Sequence, residues 1–184
     1  MTLPIRRRWI ALLASAALLA LGFFATSAIA AHPANAATSC SQAYLPLPDA
    51  TCQPGATYSV VTQSTIGSTI CVSGWTATVR PPTSYTNALK VTQIAQYGYS
   101  DTSTADYEED HLIPLELGGN PTSALNLWPE PRYDTGGTTL TSYSKDSVEN
   151  KLKKAVCAGT VTLAAARTAI AKNWMTALAK LGLS

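Results

Sequence analysis

Charged side chains are scarce in this sequence, since Asp, Glu, Lys and Arg make up only 13% of its 184 residues. Histidine is scarcer still, with two copies, His32 and His111. Thirteen basic residues against eleven acidic ones give no strong positive charge of the kind that binds a nucleic-acid backbone by electrostatics alone. The sequence also lacks a CxxC pair, a Gly-rich phosphate loop and a Ser-His-Asp order, which argues against a zinc knuckle, a P-loop enzyme and a serine hydrolase.

The first 36 residues have the composition of an export signal. Three arginines precede the apolar run "IALLASAALLALGFFATSAIA", and small-residue cleavage sites end at Ala30 and Ala36. We expect cleavage near Ala36; the alternative is an uncleaved anchor, because the run is long enough to span a bilayer. Cleavage removes the arginines and His32, so ten basic residues face eleven acidic ones and His111 is the one histidine left. The mature protein is then secreted, near neutral and independent of the membrane.

Residues 37–184 have the length of one domain, and we expect a single secreted domain there. All four cysteines of the sequence lie in this part. An even number of cysteines in an oxidising compartment predicts two disulfides among three pairings. From proximity in sequence and by elimination we expect Cys40–Cys52 and Cys71–Cys157.

The periodicity of the chain predicts an α+β fold. The segments "TYSVVTQ" and "STICVSGWTATVR" favour short N-terminal strands, because they are rich in β-branched and aromatic residues. "SYTNALKVTQIAQY" predicts a helix that is capped by Thr83 or Ser84 and ends at Gly98. "SKDSVENKLKKAVCAG", which stops at Gly159, and "TLAAARTAIAKNWMTALAKLG", which Thr162 caps, predict two C-terminal helices. Ahead of them, "HLIPLEL" and "LNLWPEP" predict two strands around the turn "GGNP".

The stretch "DYEEDHLIPLELGGNPTSALNLWPEP", residues 106–131, concentrates acids beside the remaining histidine. One interpretation is structural, with a solvated acidic segment leading into a strand and His111 as a polar edge residue. A functional interpretation starts from Asp110, a hard oxygen ligand adjacent to a group that takes a proton near neutral pH. A general base and a divalent cation are the two parts needed to hydrolyse a phosphodiester.

The segment "DHLIPLELGGNPTSALNLWP" resembles the core of the HNH endonucleases of the ββα-metal superfamily. That pattern is Asp-His, an apolar stretch ending in Pro and a hydrophobic residue, a Gly-Gly turn, and Asn-Leu. Its elements here are Asp110 and His111, then Ile113, Pro114 and Leu115, then Gly118 and Gly119, then Asn126 and Leu127. The rest of the chain, including "ICVSGWTATVRPP" and "SYTNALK", is similar to small exported bacterial proteins that carry such a unit. The resemblance implies an embedded ββα-metal unit at about 106–158.

The resemblance also implies roles for individual residues. His111 matches the general base, and Asp110 matches the carboxylate that ligates the catalytic metal. Asn126 matches the middle position of the motif, whose side chain braces the loop and helps to orient the site. The implied cofactor is a divalent metal, Mg²⁺ in the first place, with Mn²⁺ or Zn²⁺ as alternatives.

A third motif position belongs on the helix that follows. We expect Asn150 there as a metal ligand, with Glu149 and Asp146 as the next choices. Two arginines are candidates for substrate binding. Arg80 either contacts a substrate phosphate or ends a strand and pairs with the acidic cluster, and Arg132 has the same two interpretations.

These residues lead to one main function and two alternatives. The first is an exported, metal-dependent nuclease that cleaves DNA, with RNA as a second substrate class. The second is a non-catalytic secreted or envelope module that keeps the ββα-metal fold for structure or binding. The third is hydrolysis of another phosphoester or of a cell-wall polymer, which the same base and metal would serve.

Overall fold

A computed structural model describes residues 39–183, so the predicted signal peptide lies outside the described part. Four helices and two strands are present there: α1 Trp75–Val79, α2 Thr83–Tyr97, β1 Tyr107–His111, β2 Leu127–Pro131, α3 Ser142–Cys157 and α4 Leu163–Lys180. Short 3₁₀ turns lie at Ile66–Ser68, Thr104–Asp106 and Leu115–Leu117. The predicted α+β class is confirmed, as an antiparallel hairpin followed by two C-terminal helices.

The hairpin begins earlier in the chain than the apolar pattern predicts. β1 is the acidic segment "YEEDH" itself, which pairs antiparallel with β2 from Tyr107 opposite Pro131 to His111 opposite Leu127. After His111, the rest of "HLIPLEL" is not a strand, because its backbone bonds to other partners. The N–H and C=O of Ile113 both bond to the side chain of Asn126, and Leu115–Leu117 forms a 3₁₀ turn.

The short N-terminal strands are wrong for the described residues. Before Tyr107 the described residues contain helices α1 and α2, turns and a single isolated bridge, between Thr57 and Gly119. Threonine hydroxyls donate to nearby backbone carbonyl oxygens, where a strand partner would otherwise donate. Thr65 donates to Val60 O at 2.8 Å, and Thr69 donates to Thr65 O at 2.7 Å. Such local bonds compete with a sheet ladder, which explains why β-branched composition misleads here.

Helices α2, α3 and α4 lie where periodicity predicts them, with small differences at their ends. Pro82 is the N-terminal cap of α2, so no side chain caps it, and Gly98 ends the helix in the left-handed region at φ 63°. α3 begins at Ser142, two residues before the predicted start at Ser144. The hydroxyl of Thr162 accepts a hydrogen bond from the backbone of α4, as predicted.

Two apolar clusters hold these elements together. The first contains buried residues of α3 and α4, among them Leu152, Val156, Ile170 and Trp174. The second contains tyrosines and Trp128, and α2 packs against both strands there. The disulfides are Cys40–Cys52 and Cys71–Cys157, as predicted. Two disulfides indicate an oxidising compartment. Among residues 39–183, no helix is both long and apolar enough to cross a membrane.

Candidate functional site at the end of the hairpin

The loop between the strands depends on the two glycines of the motif. A Cβ on Gly119 would lie 1.7 Å from the carbonyl oxygen of Ile113, so the backbone approaches too closely for any side chain. Gly118 has φ +67°, and a Cβ there would lie 2.5 Å from Val61. Only glycine fits both demands, since it has no Cβ and adopts positive φ freely. The Gly-Gly pair is therefore needed to bring the loop back to β2.

Asn126 braces this loop from a fully buried position. Its Oδ1 accepts from the N–H of Ile113 at 3.0 Å, and its Nδ2 donates to Ile113 O at 3.0 Å and to Asn120 O at 3.2 Å. Ala56 N also donates to Oδ1, at 3.3 Å. The contacts fit the bracing part of the role expected for Asn126, and its part in catalysis stays a prediction.

His111 is the last residue of β1 and is only 5% exposed. Its Nε2 lies 3.1 Å from the carbonyl oxygen of Pro121. Because a carbonyl can only accept, Nε2 carries the proton and Nδ1 keeps its lone pair. Burial lowers the pKa of His111, against the opposing charge of Asp110. The imidazole is therefore neutral at neutral pH, the state that a general base requires.

Asp110 is tied to helix α3 by a buried lysine. Lys145, 1% exposed, places Nζ 2.5 Å from Asp110 Oδ2 and 2.9 Å from His111 O, and it also contacts Glu149 Oε1. An ammonium has three N–H donors, so these acceptors use all of them. Burial alone would lower the pKa of Lys145, but Asp110 and Glu149 outweigh it and the pKa is raised. Lys145 is thus a permanent cation at the end of β1.

Glu130 is the acid of this cluster that no N–H group reaches. It lies in β2 and is 1% exposed, no donor reaches either of its carboxylate oxygens among the described residues, and the side chain close enough to share a proton with it is that of Asp110. Burial first, then the charge of Asp110, raises its pKa well above the usual range. A buried carboxyl without a partner must hold a proton or a cation. Its oxygen chemistry therefore fits the divalent metal that the resemblance implies.

The structure does not bring Asn150 to Asp110. Asn150 is exposed, and its Nδ2 donates to Asp146 O of the same helix at 2.9 Å. Five residues of α-helix rotate it roughly 140° away from Lys145, which faces the hairpin. Glu149, the first substitute, does reach the cluster through Lys145, and burial raises its pKa to about 8. Within 39–183, no group of three His, Cys, Asp or Glu side chains is placed to hold a metal ion.

The two candidate arginines have different surroundings. Arg80 follows α1, is exposed, and makes no ion pair with any residue in the described range. It does not end a strand or pair with the acids, but its charge is close enough to help burial lower the pKa of His111. Arg132 is already engaged, with Nη1 3.3 Å from Glu108 and 3.0 Å from the hydroxyl of Tyr143.

Lys145 and Glu130 are the residues that sequence reasoning missed. Lys145 lies seven positions before Leu152 and eleven before Val156, so a charge stands on the apolar stripe of α3. A lysine on a buried stripe is a signal for a buried ion pair. Glu130 stands between two prolines. Prolines favour a turn or a strand edge, so the sequence around Glu130 does not show the alternating pattern typical of a strand.

Comparison of the chain with protein-family models finds no match, and comparison with curated proteins and with solved structures finds none either. The resemblance to HNH endonucleases therefore rests on the motif residues of the sequence.

Proposed function

We propose that the protein is an exported, metal-dependent nuclease of HNH-like type that hydrolyses phosphodiester bonds of DNA, with RNA as a second substrate class. In this proposal β1, β2 and α3 are its ββα-metal unit. The observation that carries it is the state of His111, a neutral imidazole anchored through Nε2 to Pro121 O at the end of β1. Nδ1 is left as the proton acceptor for a water that attacks phosphorus.

Neighbouring residues keep that base in place. Asn126 fixes the backbone of Ile113, two residues beyond His111, and Lys145 holds the carbonyl of His111 itself. Orientation of this kind lowers the barrier because the reacting groups need no rearrangement. Arg80 is an exposed cation close to His111 and is available to a substrate phosphate, whereas Arg132 would first have to leave Glu108 and Tyr143.

Asp110 is the residue proposed to hold the metal, with the unpartnered Glu130 beside it. When bound, a divalent cation supplies neutralisation of the negative charge on the scissile phosphate and the leaving oxygen. The oxygen donors favour Mg²⁺ or Mn²⁺ over Zn²⁺. A metal ligand of this kind suits a chain with few basic residues, because a bound cation rather than a basic surface would then contact the substrate phosphate.

A non-catalytic secreted or envelope module is the second candidate, and two observations favour it. Lys145 already neutralises Asp110, and Asn150 lies outside the cluster. In that case the buried charges only fasten α3 to the hairpin, and His111 is a structural residue.

Plasmid nicking separates the two candidates. The disulfide-intact protein is incubated with supercoiled DNA in Mg²⁺, Mn²⁺ or EDTA, beside His111→Ala and the control Met175→Ala, an exposed residue of α4. We expect metal-dependent nicking that His111→Ala lowers by roughly a hundredfold to ten-thousandfold, the usual effect of losing a general base. Met175→Ala should cut like the wild type.

Circular dichroism of each variant shows whether it is folded. A folded wild type that leaves both DNA and RNA uncut with every metal would refute the nuclease and favour the structural module. Undiminished cutting by folded His111→Ala would remove the role of base from His111.

A further inference from the structure

The hairpin register gathers acids on one face of the ribbon. Glu108 lies directly opposite Glu130, and Asp110 is two residues along β1 from Glu108. Because side chains alternate along a strand and opposed residues share a face, these three side chains are directed to the same side. Glu149 of α3 is joined to this group through Lys145.

Lys145 cannot serve Glu130. Its three N–H groups are used by Asp110, Glu149 and the carbonyl of His111, so it has no donor left. Both oxygens of Glu130 are buried, and no N–H or O–H group within residues 39–183 donates to them. Glu130 therefore lies beside Asp110 without a donor of its own, and a cation can bind both carboxylates at once.

We propose that Glu130 and Asp110 together bind a divalent cation of the Mg²⁺ and Mn²⁺ class, with Glu130 in the place that the motif assigns to a helix residue. Two carboxylates suffice, because Mg²⁺ keeps several waters and needs no complete protein cage. No third His, Cys, Asp or Glu side chain in the described chain is placed to complete such a group, so water would supply the remaining ligands. This pair of ligands deepens the proposed function. Cation binding itself does not depend on nuclease activity; only the catalytic use of the ion rests on the proposed function.

Calorimetric titration of Mn²⁺ tests the site without any substrate. The disulfide-intact wild type is compared with Glu130→Gln, Asp110→Asn and Glu116→Gln. Glu116 is the matched control, since its Oε2 is also buried without a partner but its Oε1 lies 3.4 Å from Lys153. We expect one bound ion in the wild type and in Glu116→Gln. Both other variants should bind at least about tenfold more weakly, the lower range found when even an outer partner of a metal site is removed.

Paramagnetic broadening by Mn²⁺ locates the ion in the wild type alone, so the test survives a variant that fails to fold. Amide signals of Asp110 and Glu130 should disappear first. Absence of Mn²⁺ binding, binding that Glu130→Gln retains, or broadening elsewhere would each overturn the site and leave Glu130 as a protonated carboxyl beside Asp110.

The nicking assay tests DNA cleavage separately from cation binding. Binding that depends on Glu130 in a protein that cuts nothing would keep the cation site and remove the nuclease. Metal-dependent cutting that Glu130→Gln leaves unchanged would do the reverse.

Discussion

The two ends of helix α3 are held by opposite kinds of interaction. Near its N-terminus, Lys145 and Glu149 face the hairpin and join a buried group of charges. Near its C-terminus, Leu152 and Val156 are buried among apolar residues of α4, and Cys157 closes a disulfide to Cys71. One helix thus connects buried charges, whose desolvation costs free energy, to apolar side chains, whose burial is favourable.

The difference shows where stability and chemistry reside. Apolar burial contributes roughly 25 cal/mol for each Å² removed from water, whereas a buried ion pair recovers little more than its own desolvation. The apolar region therefore supports the fold. The charged region adds little stability, which favours a functional reason for keeping three buried carboxylates around one lysine.

Removing each disulfide in turn should give the largest loss in the free energy of unfolding. Cys71–Cys157 lies in the apolar region and joins residues 86 apart, whereas Cys40–Cys52 joins residues 12 apart. Chain entropy predicts a loss of about 4.5 kcal/mol for a Cys71→Ser, Cys157→Ser double variant and about 3 kcal/mol for the other pair. Urea denaturation of both variants measures the difference. Equal losses would show that loop length does not control their contribution.

Replacing Lys145 examines the charged region directly. Lys145→Met leaves Asp110 and Glu149 buried without their cation, so we expect a loss of about 3 to 5 kcal/mol in the free energy of unfolding. Adding Asp110→Asn and Glu149→Gln removes those charges, and the triple variant should return close to wild-type stability or exceed it. Chemical denaturation of the single and triple variants provides the measurement. A triple variant as unstable as Lys145→Met would mean that the charges stabilise the fold.

A smaller effect concerns Glu109, whose carboxylate oxygens are buried without a partner in the described chain. Burial raises the pKa of Glu109 to about 8, against the opposing charge of Lys90. A raised pKa means that the folded state binds the proton more tightly, so this stability is complete below about pH 4.5 and is lost as the pH rises through about 8. Glu109→Gln should flatten that decline, which urea midpoints across this range in EDTA measure. An unchanged decline in Glu109→Gln would assign it to other groups.

Local signals predict much of the fold. Gly98 ends α2, Thr162 caps α4 and the apolar stripe of α4 is buried as expected, because helix ends and amphipathic faces depend on residues a few positions apart. The order of motif residues likewise points to Asn126, which the structure shows bracing the loop, whereas the role of His111 stays a prediction. The N-terminal segment fails because its threonines bond locally and no partner strand is at hand.

The sequence by itself determines helices α2, α3 and α4, the glycine turn, the adjacency of Asp110 and His111, and a cysteine arrangement suited to two disulfides. Only the tertiary structure decides that β1 is the acidic segment, and that Lys145 and Glu130 rather than Asn150 meet Asp110. The physical reason is distance along the chain. Hairpin register and the rotation of α3 depend on contacts between residues tens of positions apart, which local periodicity does not encode.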